Sequence, residues 1–116
     1  MEQDWLIDDE GQLSIDVFRQ DNILIIRAFV AGVDPQDLNI TVNGDLLTIR
    51  GERKMDNIDK INDWLYRECY WGRFSRSIIL PYHVASNQTD ASIKNGVLEI
   101  KIPISDGDQQ IKVKWS

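Results

Sequence analysis

Apolar and polar residues alternate along most of this chain with a period of two, the pattern of strands that bury one face. The clearest alternating sets are Leu13, Ile15 and Val17; Leu38, Ile40 and Val42; and Leu98, Ile100 and Ile102. Residues 23–31 form a nearly continuous apolar run, which predicts a strand covered on both faces. The whole pattern predicts six or seven short strands between residues 13 and 103.

Turn residues separate these strands. Asn95-Gly96 is the dipeptide preferred in two-residue hairpin turns, because both central positions need a positive φ. The sequences Gly-Val-Asp-Pro at residues 32–35 and Asn-Gly-Asp at residues 43–45 predict two further turns. Short strands at this spacing, without a long helical pattern, predict an all-β fold, an antiparallel immunoglobulin-like β-sandwich.

Residues 52–63 are compatible with two local structures. Four apolar residues fall at helical spacing and favour a helix; they are Met55, Ile58, Ile61 and Leu65. Poor helix formers lie among them and favour a loop; they are Asn57, Asp59, Asn62 and Asp63. The local sequence leaves both interpretations open.

Composition predicts one globular domain of 116 residues, with 42% hydrophobic and 28% charged residues. The net charge of −6 argues against binding to nucleic acid or to anionic membrane surfaces. No segment reaches the ~18 consecutive apolar residues of a membrane span. The acidic first residues do not resemble an export signal, and one cysteine cannot form an internal disulfide, so the sequence predicts a cytoplasmic protein.

Catalytic motifs are not apparent in the sequence. Cys69 and His83 are the only residues of their types and lie apart along the chain, which disfavours a Cys/His catalytic pair or a metal site. The glycines occur singly in predicted turns and not in a phosphate-binding loop. We therefore expect no enzyme activity, no cofactor and no bound metal.

Two motifs in the last third of the chain resemble the α-crystallin domain of small heat-shock proteins. They are G-x-F-x-R-x-x-x-L-P at residues 72–81 and A-x-x-x-N-G-V-L-x-I-x-x-P at residues 91–103. Upstream, residues 31–53 resemble the family pattern A-G-V…D-L-x-I-x-V…L-T-I-x-G-E-R, and Tyr66-Arg67-Glu68 precedes the glycine as in the family. The resemblance covers residues 11–113. It implies an ATP-independent holdase chaperone that binds partly unfolded proteins and prevents their aggregation.

The resemblance also implies a hydrophobic groove at a sheet edge. The groove residues it indicates are Leu38, Ile40, Val42, Ala91 and Ile93. These residues would at the same time be the margin of an ordinary core. In the family an I-x-I/V anchor occupies such a groove, and Ile111 and Val113 match that anchor. Their spacing of two places both side chains on one face of an extended segment.

The segment before this anchor limits its reach. Residues 104–110 are polar and contain glycine, and they span at most ~23–25 Å. That length is enough to reach a neighbouring subunit. The alternative is that Ile111 and Val113 belong to a last strand of the same sandwich.

Dimerisation is a further implication of the resemblance. In bacterial, plant and archaeal relatives the segment corresponding to residues 52–63 is a long loop with a short strand, which pairs with the partner subunit's sheet. Trp64, Leu65 and Tyr66 would form that strand or the start of the next one. A reciprocal exchange gives a two-fold homodimer, from which a larger homo-oligomer can be built.

Arg76 is predicted to share a strand face with apolar residues, and such a charge has to be paired or hydrogen-bonded. By resemblance it supports the dimer interface. Its candidate partners are Asp59, Asp63, Glu68 and backbone carbonyls of the loop. The alternative is a strand that twists enough to expose the side chain.

The sequence thus divides into a short acidic arm (residues 1–12), a β-sandwich domain (residues 13–103) and a C-terminal extension with the I-x-V anchor (residues 104–116). Relatives usually carry a longer apolar arm. The expected partners are unfolded or partly unfolded client proteins and other copies of the chain. Two other functions stay open: a p23-like or CS-domain co-chaperone adaptor, which is usually monomeric, and a passive β-sandwich module that binds one defined ligand.

Overall fold

The computed structural model describes residues 11–105 and Val113. It shows two four-stranded sheets, with strand orders β1-β6-β5-β4 and β2-β3-β8-β7. The strands are β1 (Gly11–Gln12), β2 (Ile15–Gln20), β3 (Ile23–Phe29), β4 (Leu38–Asn43), β5 (Leu46–Arg53), β6 (Gly72–Ile79), β7 (Asp90–Lys94) and β8 (Val97–Pro103). All pairs are antiparallel except β1 with β6. The predicted antiparallel β-sandwich is confirmed.

The core lies between the two sheets and follows the predicted alternation. The side chains of Leu98, Ile100 and Ile102 in β8 are at most 2% exposed. In the sheet register they lie beside Ala28, Ile26 and Leu24 of β3. The opposite sheet contributes Leu47, Ile49 and Phe74 to the same cluster. Ile100 and Ile102 also match the I-x-I pattern, but they are core residues and are not available as an anchor.

The apolar run in β3 is covered on both faces only at its centre. Ile25 lies on the outer face and is nevertheless only 4% exposed. Its neighbours in the register are Phe18 and Lys101, and the Arg27 guanidinium lies over the Phe18 ring at 5.0 Å. Phe29 is 78% exposed at the end of the strand. The prediction of a strand covered on both faces is therefore wrong at Phe29. The outer face of β3 is covered only by side chains of the neighbouring strands, and this cover ends before Phe29.

The predicted hairpin between β7 and β8 is confirmed. Asn95 and Gly96 have φ values of 54° and 78°, as a tight turn between right-twisted strands requires. Gly44, with a φ of 66°, makes the corresponding turn between β4 and β5. Both turns set the register in which the inward residues of each pair face the core.

A long loop, residues 54–71, connects β5 with β6. Asn57 has a left-handed φ of 56° and precedes a single 3₁₀ turn at Ile58–Lys60. The loop interpretation is thus correct, and within the described residues the chain forms no α-helix. Trp64, Leu65 and Tyr66 pair with no strand inside residues 11–105, and β6 begins only at Gly72. A segment this short forms a strand only when a neighbour supplies hydrogen-bond partners.

The ends of the sandwich lie slightly beyond the predicted boundaries. β1 begins at Gly11, inside the predicted arm. Ile104 packs against the core, and its N–H donates to the carbonyl of Asn22 at 2.9 Å. Residues 1–10 of the predicted arm lie outside the described residues. Among the described helical turns, none has the length and hydrophobicity needed to cross a membrane.

Gly51 gives a direct test of this packing. A Cβ atom at this position would lie 2.5 Å from Cζ of Phe74 and 2.8 Å from Cδ2 of Leu38. Because both neighbours belong to the packed core region, we expect Gly51→Ala to lower the free energy of unfolding by about 1–3 kcal/mol. Urea denaturation followed by circular dichroism measures this change.

Gly44→Asn is the matched control. At Gly44 an added Cβ atom would meet no heavy atom within 4 Å, and asparagine tolerates the left-handed backbone there. We expect its free energy of unfolding to fall by less than that of Gly51→Ala, because the left-handed φ opposes the change but no packed side chain does. Equal urea midpoints for wild type and Gly51→Ala would contradict the packing described around Phe74.

Candidate functional site

A groove runs between β4 and β7, the edge strands on one side of the sandwich. It contains two adjoining pockets of about 250 and 330 Å³. The first is lined by Pro35, Leu38, Ile40, Ala91, Ser92, Ile93 and Leu98, and the second by Ile40, Val42, Ser86, Asn87, Thr89 and Ala91. The structure therefore brings together all five residues that the sequence indicated for a groove.

The alternation in the edge strands explains the apolar lining. Leu38, Ile40 and Val42 point inward, are partly buried and pack against the core. The residues between them, Asn39 and Thr41, are exposed on the opposite face. An edge strand has a sheet neighbour on one side only, so its inward apolar residues keep one flank open. These side chains are thus both the margin of the core and the wall of the groove.

The two strands also offer backbone groups to a ligand. β4 pairs only with β5, and β7 pairs only with β8, so each presents one unpaired edge within the described sheets. An extended peptide can add to such an edge through main-chain hydrogen bonds. With two adjoining pockets beside it, the groove can take a segment whose apolar residues are two positions apart.

The wall near Pro35 is held by polar contacts. The Asp34 carboxylate accepts a hydrogen bond from the backbone N–H of Gln36 at 3.2 Å and caps the 3₁₀ turn Pro35–Asp37. The ammonium of Lys54 lies 3.1 Å from the Asp37 carboxylate. This hydrogen bond and the negative charge of Asp37 raise the pKa of Lys54 above its ordinary value. The pair ties the start of the long loop to the turn that borders the groove.

Arg76 lies on the inner face of β6, as its period predicts, opposite Ile49 in the register. It is partly buried, and its Nη1 donates to the carbonyl of Leu13 at 3.0 Å. The prediction of a hydrogen-bonded charge is confirmed, and within the single chain the acceptor is the Leu13 carbonyl and not one of the predicted partners. Among the described residues no ion pair joins Arg76 to the three candidate carboxylates, because the side chain reaches the link between β1 and β2 and not the loop.

The other residues predicted for the dimer interface lie on the surface of the loop. Leu65 and Tyr66 are 86% and 87% exposed, and Trp64 is 40% exposed. The Arg67 guanidinium lies over the Trp64 ring at 4.3 Å, a cation–π contact that partly shields this ring. The structure does not bring these residues to Arg76. They form an apolar surface that the single chain leaves open.

The predicted C-terminal anchor is described only in part. Ile111 lies outside the described residues, and Val113 is 93% exposed. Val113 belongs to no strand, which does not fit a last strand of the same sandwich. It also does not occupy the groove of its own chain.

Titratable and nucleophilic groups do not converge on the groove. Cys69 is an exposed free cysteine in the loop. Across the part of the chain that the structure describes, no group of three or more His, Cys, Asp or Glu side chains is arranged to hold a metal ion. The arrangement can hold an extended apolar segment by contact and by main-chain hydrogen bonds.

One cluster was not indicated by the sequence. The Tyr70 hydroxyl accepts a hydrogen bond from the N–H of Gly11 at 3.0 Å and donates to the carbonyl of Arg73. The guanidinium of Arg53 donates to the carbonyl of Ala31 at 2.8 Å and lies over the Phe74 ring. Apart from the Tyr70–Arg73 bond, these contacts join segments far apart in sequence, so no local pattern indicated them.

Comparisons with known proteins give the family context of this geometry. The model of the Hsp20/alpha crystallin family matches residues 9–115. The chain is 30% identical over 101 residues to small heat shock protein C4 of Rickettsia felis, covering 87% of this chain and 62% of that protein. It is 30% identical over 92 residues to a 17.8 kDa class I heat shock protein of Arabidopsis thaliana, covering 78% and 59%. The chain thus spans less than two thirds of the length of these curated relatives.

Solved structures show the same architecture. Heat shock protein 16.0 from Schizosaccharomyces pombe superposes with a TM-score of 0.75 at 27% identity, covering 90% of this chain and 77% of that chain. A small heat-shock protein from Xylella fastidiosa gives a TM-score of 0.73 at 26% identity, covering 90% and 95%. Since the family model matches nearly the whole chain and the sandwich agrees with solved members, this protein belongs to the Hsp20/alpha crystallin family of small heat shock proteins.

Proposed function

We propose that this chain is an ATP-independent holdase chaperone that binds partly unfolded proteins and prevents their aggregation. The half-open apolar groove between β4 and β7 is the observation that carries this proposal. A holdase needs apolar surface that can be covered and uncovered, and it needs no catalytic group. The groove provides such surface beside two unpaired strand edges, so it suits extended apolar segments of many sequences.

The mechanism we propose is mass action. Partly unfolded clients expose apolar segments, which associate with one another at high concentration. A chaperone that covers these segments lowers the concentration of aggregation-competent chains. The net charge of −6 supports this role, because charge of one sign keeps the complexes dispersed. The single cysteine is compatible with the reducing cytoplasm, which stays a prediction.

The resting occupant of the groove in this proposal is the C-terminal anchor of a neighbouring subunit. Ile111 and Val113 are two positions apart, which suits two adjoining pockets on one face. Val113 is exposed in its own chain and therefore available to a neighbour. Client and anchor would compete for the same edges. Heat would favour opening, since such contacts are worth only a few kcal/mol.

A homodimer is the unit we propose for this assembly, with Trp64, Leu65 and Tyr66 at its interface. The exposure of these three side chains supports their place at the interface, since an apolar surface left open on one chain is typical of a contact with another chain. Pairing of this segment with a partner's sheet would also give its backbone the hydrogen bonds that the single chain lacks. Arg76 stays a prediction for this interface.

The first test is light scattering of insulin during reduction with dithiothreitol, without ATP. We expect the full chain to suppress the scattering when its subunits are about equimolar with insulin. Groove and loop surfaces would then cover the exposed insulin chains. The same titration with heated citrate synthase checks that the effect does not depend on one client.

Serum albumin at equal mass is the control for nonspecific crowding. Full scattering of both clients in the presence of the folded chain would overturn the holdase proposal. Protection of a single client would instead favour the passive binding module. A monomeric mass by light scattering, together with absent protection, would favour the co-chaperone adaptor.

The anchor is tested from both sides of the contact. On the anchor side, replacing Ile111 and Val113 by Gly removes the two apolar side chains. On the groove side, Ala91 lines both pockets, and Ala91→Arg places a long charged side chain there. We expect each change to lower the oligomeric mass while a dimer persists. Size-exclusion chromatography with light scattering measures this mass.

Matched controls separate the contact from general effects. Replacing Lys112 and Lys114 by Gly changes the same segment and keeps its apolar residues. Thr41→Arg adds the same charge to β4 on the face away from the groove. We expect both controls to retain the wild-type mass. If the Ile111/Val113 and Ala91 variants also retain it, the anchor assignment is wrong.

A further inference from the structure

The two pockets of the β4–β7 groove differ in chemistry. Among the residues that line the first pocket, only Ser92 is polar. In the second pocket β4 contributes apolar side chains, whereas the segment that leads into β7 contributes three polar residues: Ser86, Asn87 and Thr89. The second pocket is also the larger, at about 330 Å³ against 250 Å³. Its best match is therefore a large side chain that combines apolar surface with a hydrogen-bonding group.

Thr89 has a hydroxyl group without a partner at this pocket. Its Oγ1 atom is buried and makes no hydrogen bond within the part of the chain that the structure describes. The backbone of Thr89 is held, because its N–H donates to the Ser86 carbonyl at 3.2 Å, at the end of the 3₁₀ turn Ser86–Gln88. A buried hydroxyl without a partner costs free energy, so a ligand that supplies one gains affinity.

A change of rotamer is enough to present this hydroxyl to a ligand. The χ1 torsion of threonine has three staggered positions, and Thr89 itself lines the second pocket. Rotation about the Cα–Cβ bond turns Oγ1 from the protein interior toward the pocket. Because Oγ1 gives up no hydrogen bond inside the subunit, this rotation breaks no existing contact of the hydroxyl.

The C-terminal segment contains a side chain of the matching chemistry. Ile111, Val113 and Trp115 follow one another at intervals of two, so an extended segment presents all three on one face. Lys112 and Lys114 then lie on the opposite face. Tryptophan combines a large apolar ring with an N–H group that only donates hydrogen bonds. Trp115, like Ile111, lies outside the described residues, so this argument uses its position in the sequence.

The groove has the length for three such residues. The inward side chains of β4 follow one another along it at intervals of about 7 Å, the spacing that the C-terminal segment shares; they are Leu38, Ile40 and Val42. The polar residues lie at the Val42 end. A segment with Ile111 beside Leu38 therefore has Trp115 beside Val42 and Thr89.

We propose that Trp115 is a third residue of the anchor, and that its indole N–H donates to the Thr89 hydroxyl of a second copy of this chain. The inference rests on the proposed anchor and adds a directional bond to a contact that is otherwise apolar. A client segment with apolar residues alone fills the same pockets but leaves Thr89 without a partner. The bond thus lets the groove distinguish the chain's own C-terminal segment from a client.

Peptide binding to the full chain tests this bond. The protein carries Gly in place of Ile111, Val113 and Trp115, so that its own anchor does not compete, and the probe is a synthetic peptide of residues 109–116. The comparison peptide carries Trp115→Phe, which keeps an aromatic ring and removes the N–H. We expect it to bind about two- to twelvefold more weakly by isothermal titration calorimetry, the effect of one net hydrogen bond.

Thr89→Val in the same protein separates the bond from the size of the ring. Valine keeps the shape of threonine without the hydroxyl, so we expect the preference for the Trp115 peptide to fall to within about twofold, as a double-mutant cycle requires. The same change removes a buried hydroxyl that has no partner, so we also expect a higher urea midpoint. Thr41→Val, on the exposed face of β4, is the control and should leave the peptide preference unchanged.

The outcomes separate this inference from the proposals on which it rests. Equal binding of the two peptides would exclude Trp115 from the anchor and leave the anchor of Ile111 and Val113 standing. A preference for the Trp115 peptide that persists in Thr89→Val, or a lower urea midpoint of that variant, would overturn the role of the hydroxyl. If neither peptide binds, both the anchor and this inference are wrong, while the insulin assay still decides the holdase function.

Discussion

The subunit depends on burying two inward faces that belong to sheets too narrow to close on themselves. Leu24, Ile26 and Ile100 are almost fully buried because they lie on central strands. The hydrophobic effect that drives this packing acts equally on the edge strands, whose inward residues are apolar too. They have neighbours on one side only. The same hydrophobic effect therefore leaves two seams at which apolar surface meets solvent, one between the edge strands β4 and β7 and one between β1 and β2.

The two seams differ in what covers them. At the β1–β2 seam the chain supplies its own cover, held by Arg76 and by the Tyr70 hydroxyl. At the β4–β7 seam the described residues supply none, and the wall near Pro35 is formed by the capped turn at Pro35–Asp37, beside the exposed Lys54–Asp37 ion pair. One fold thus carries two apolar edges made from the alternation of its strands, one of them partly covered by residues 11–13 of its own chain.

Local sequence patterns predicted the turns and the inward faces of the strands, because both depend on residues close together in the chain. Asn95-Gly96 specified its turn because few residues accept two positive φ values in succession. The alternation of Leu38, Ile40 and Val42 predicted an inward row, and the family resemblance assigned it to an edge. The acceptor for Arg76 was not predictable, since Leu13 lies 63 residues away and is brought near only by the pairing of β1 with β6. The contact between Tyr70 and Gly11 was hidden for the same reason.

The loop between β5 and β6 has a consequence for the entropy of the chain. These strands are antiparallel neighbours, which a two-residue turn can join, yet residues 54–71 connect them. That connection is about three doublings longer than a tight turn, which raises the cost of loop closure by about 2 kcal/mol. Much of the added length is exposed, so contacts inside the subunit offset little of this cost. In the homodimer that we propose, contacts of Trp64, Leu65 and Tyr66 with a second chain would offset part of this cost.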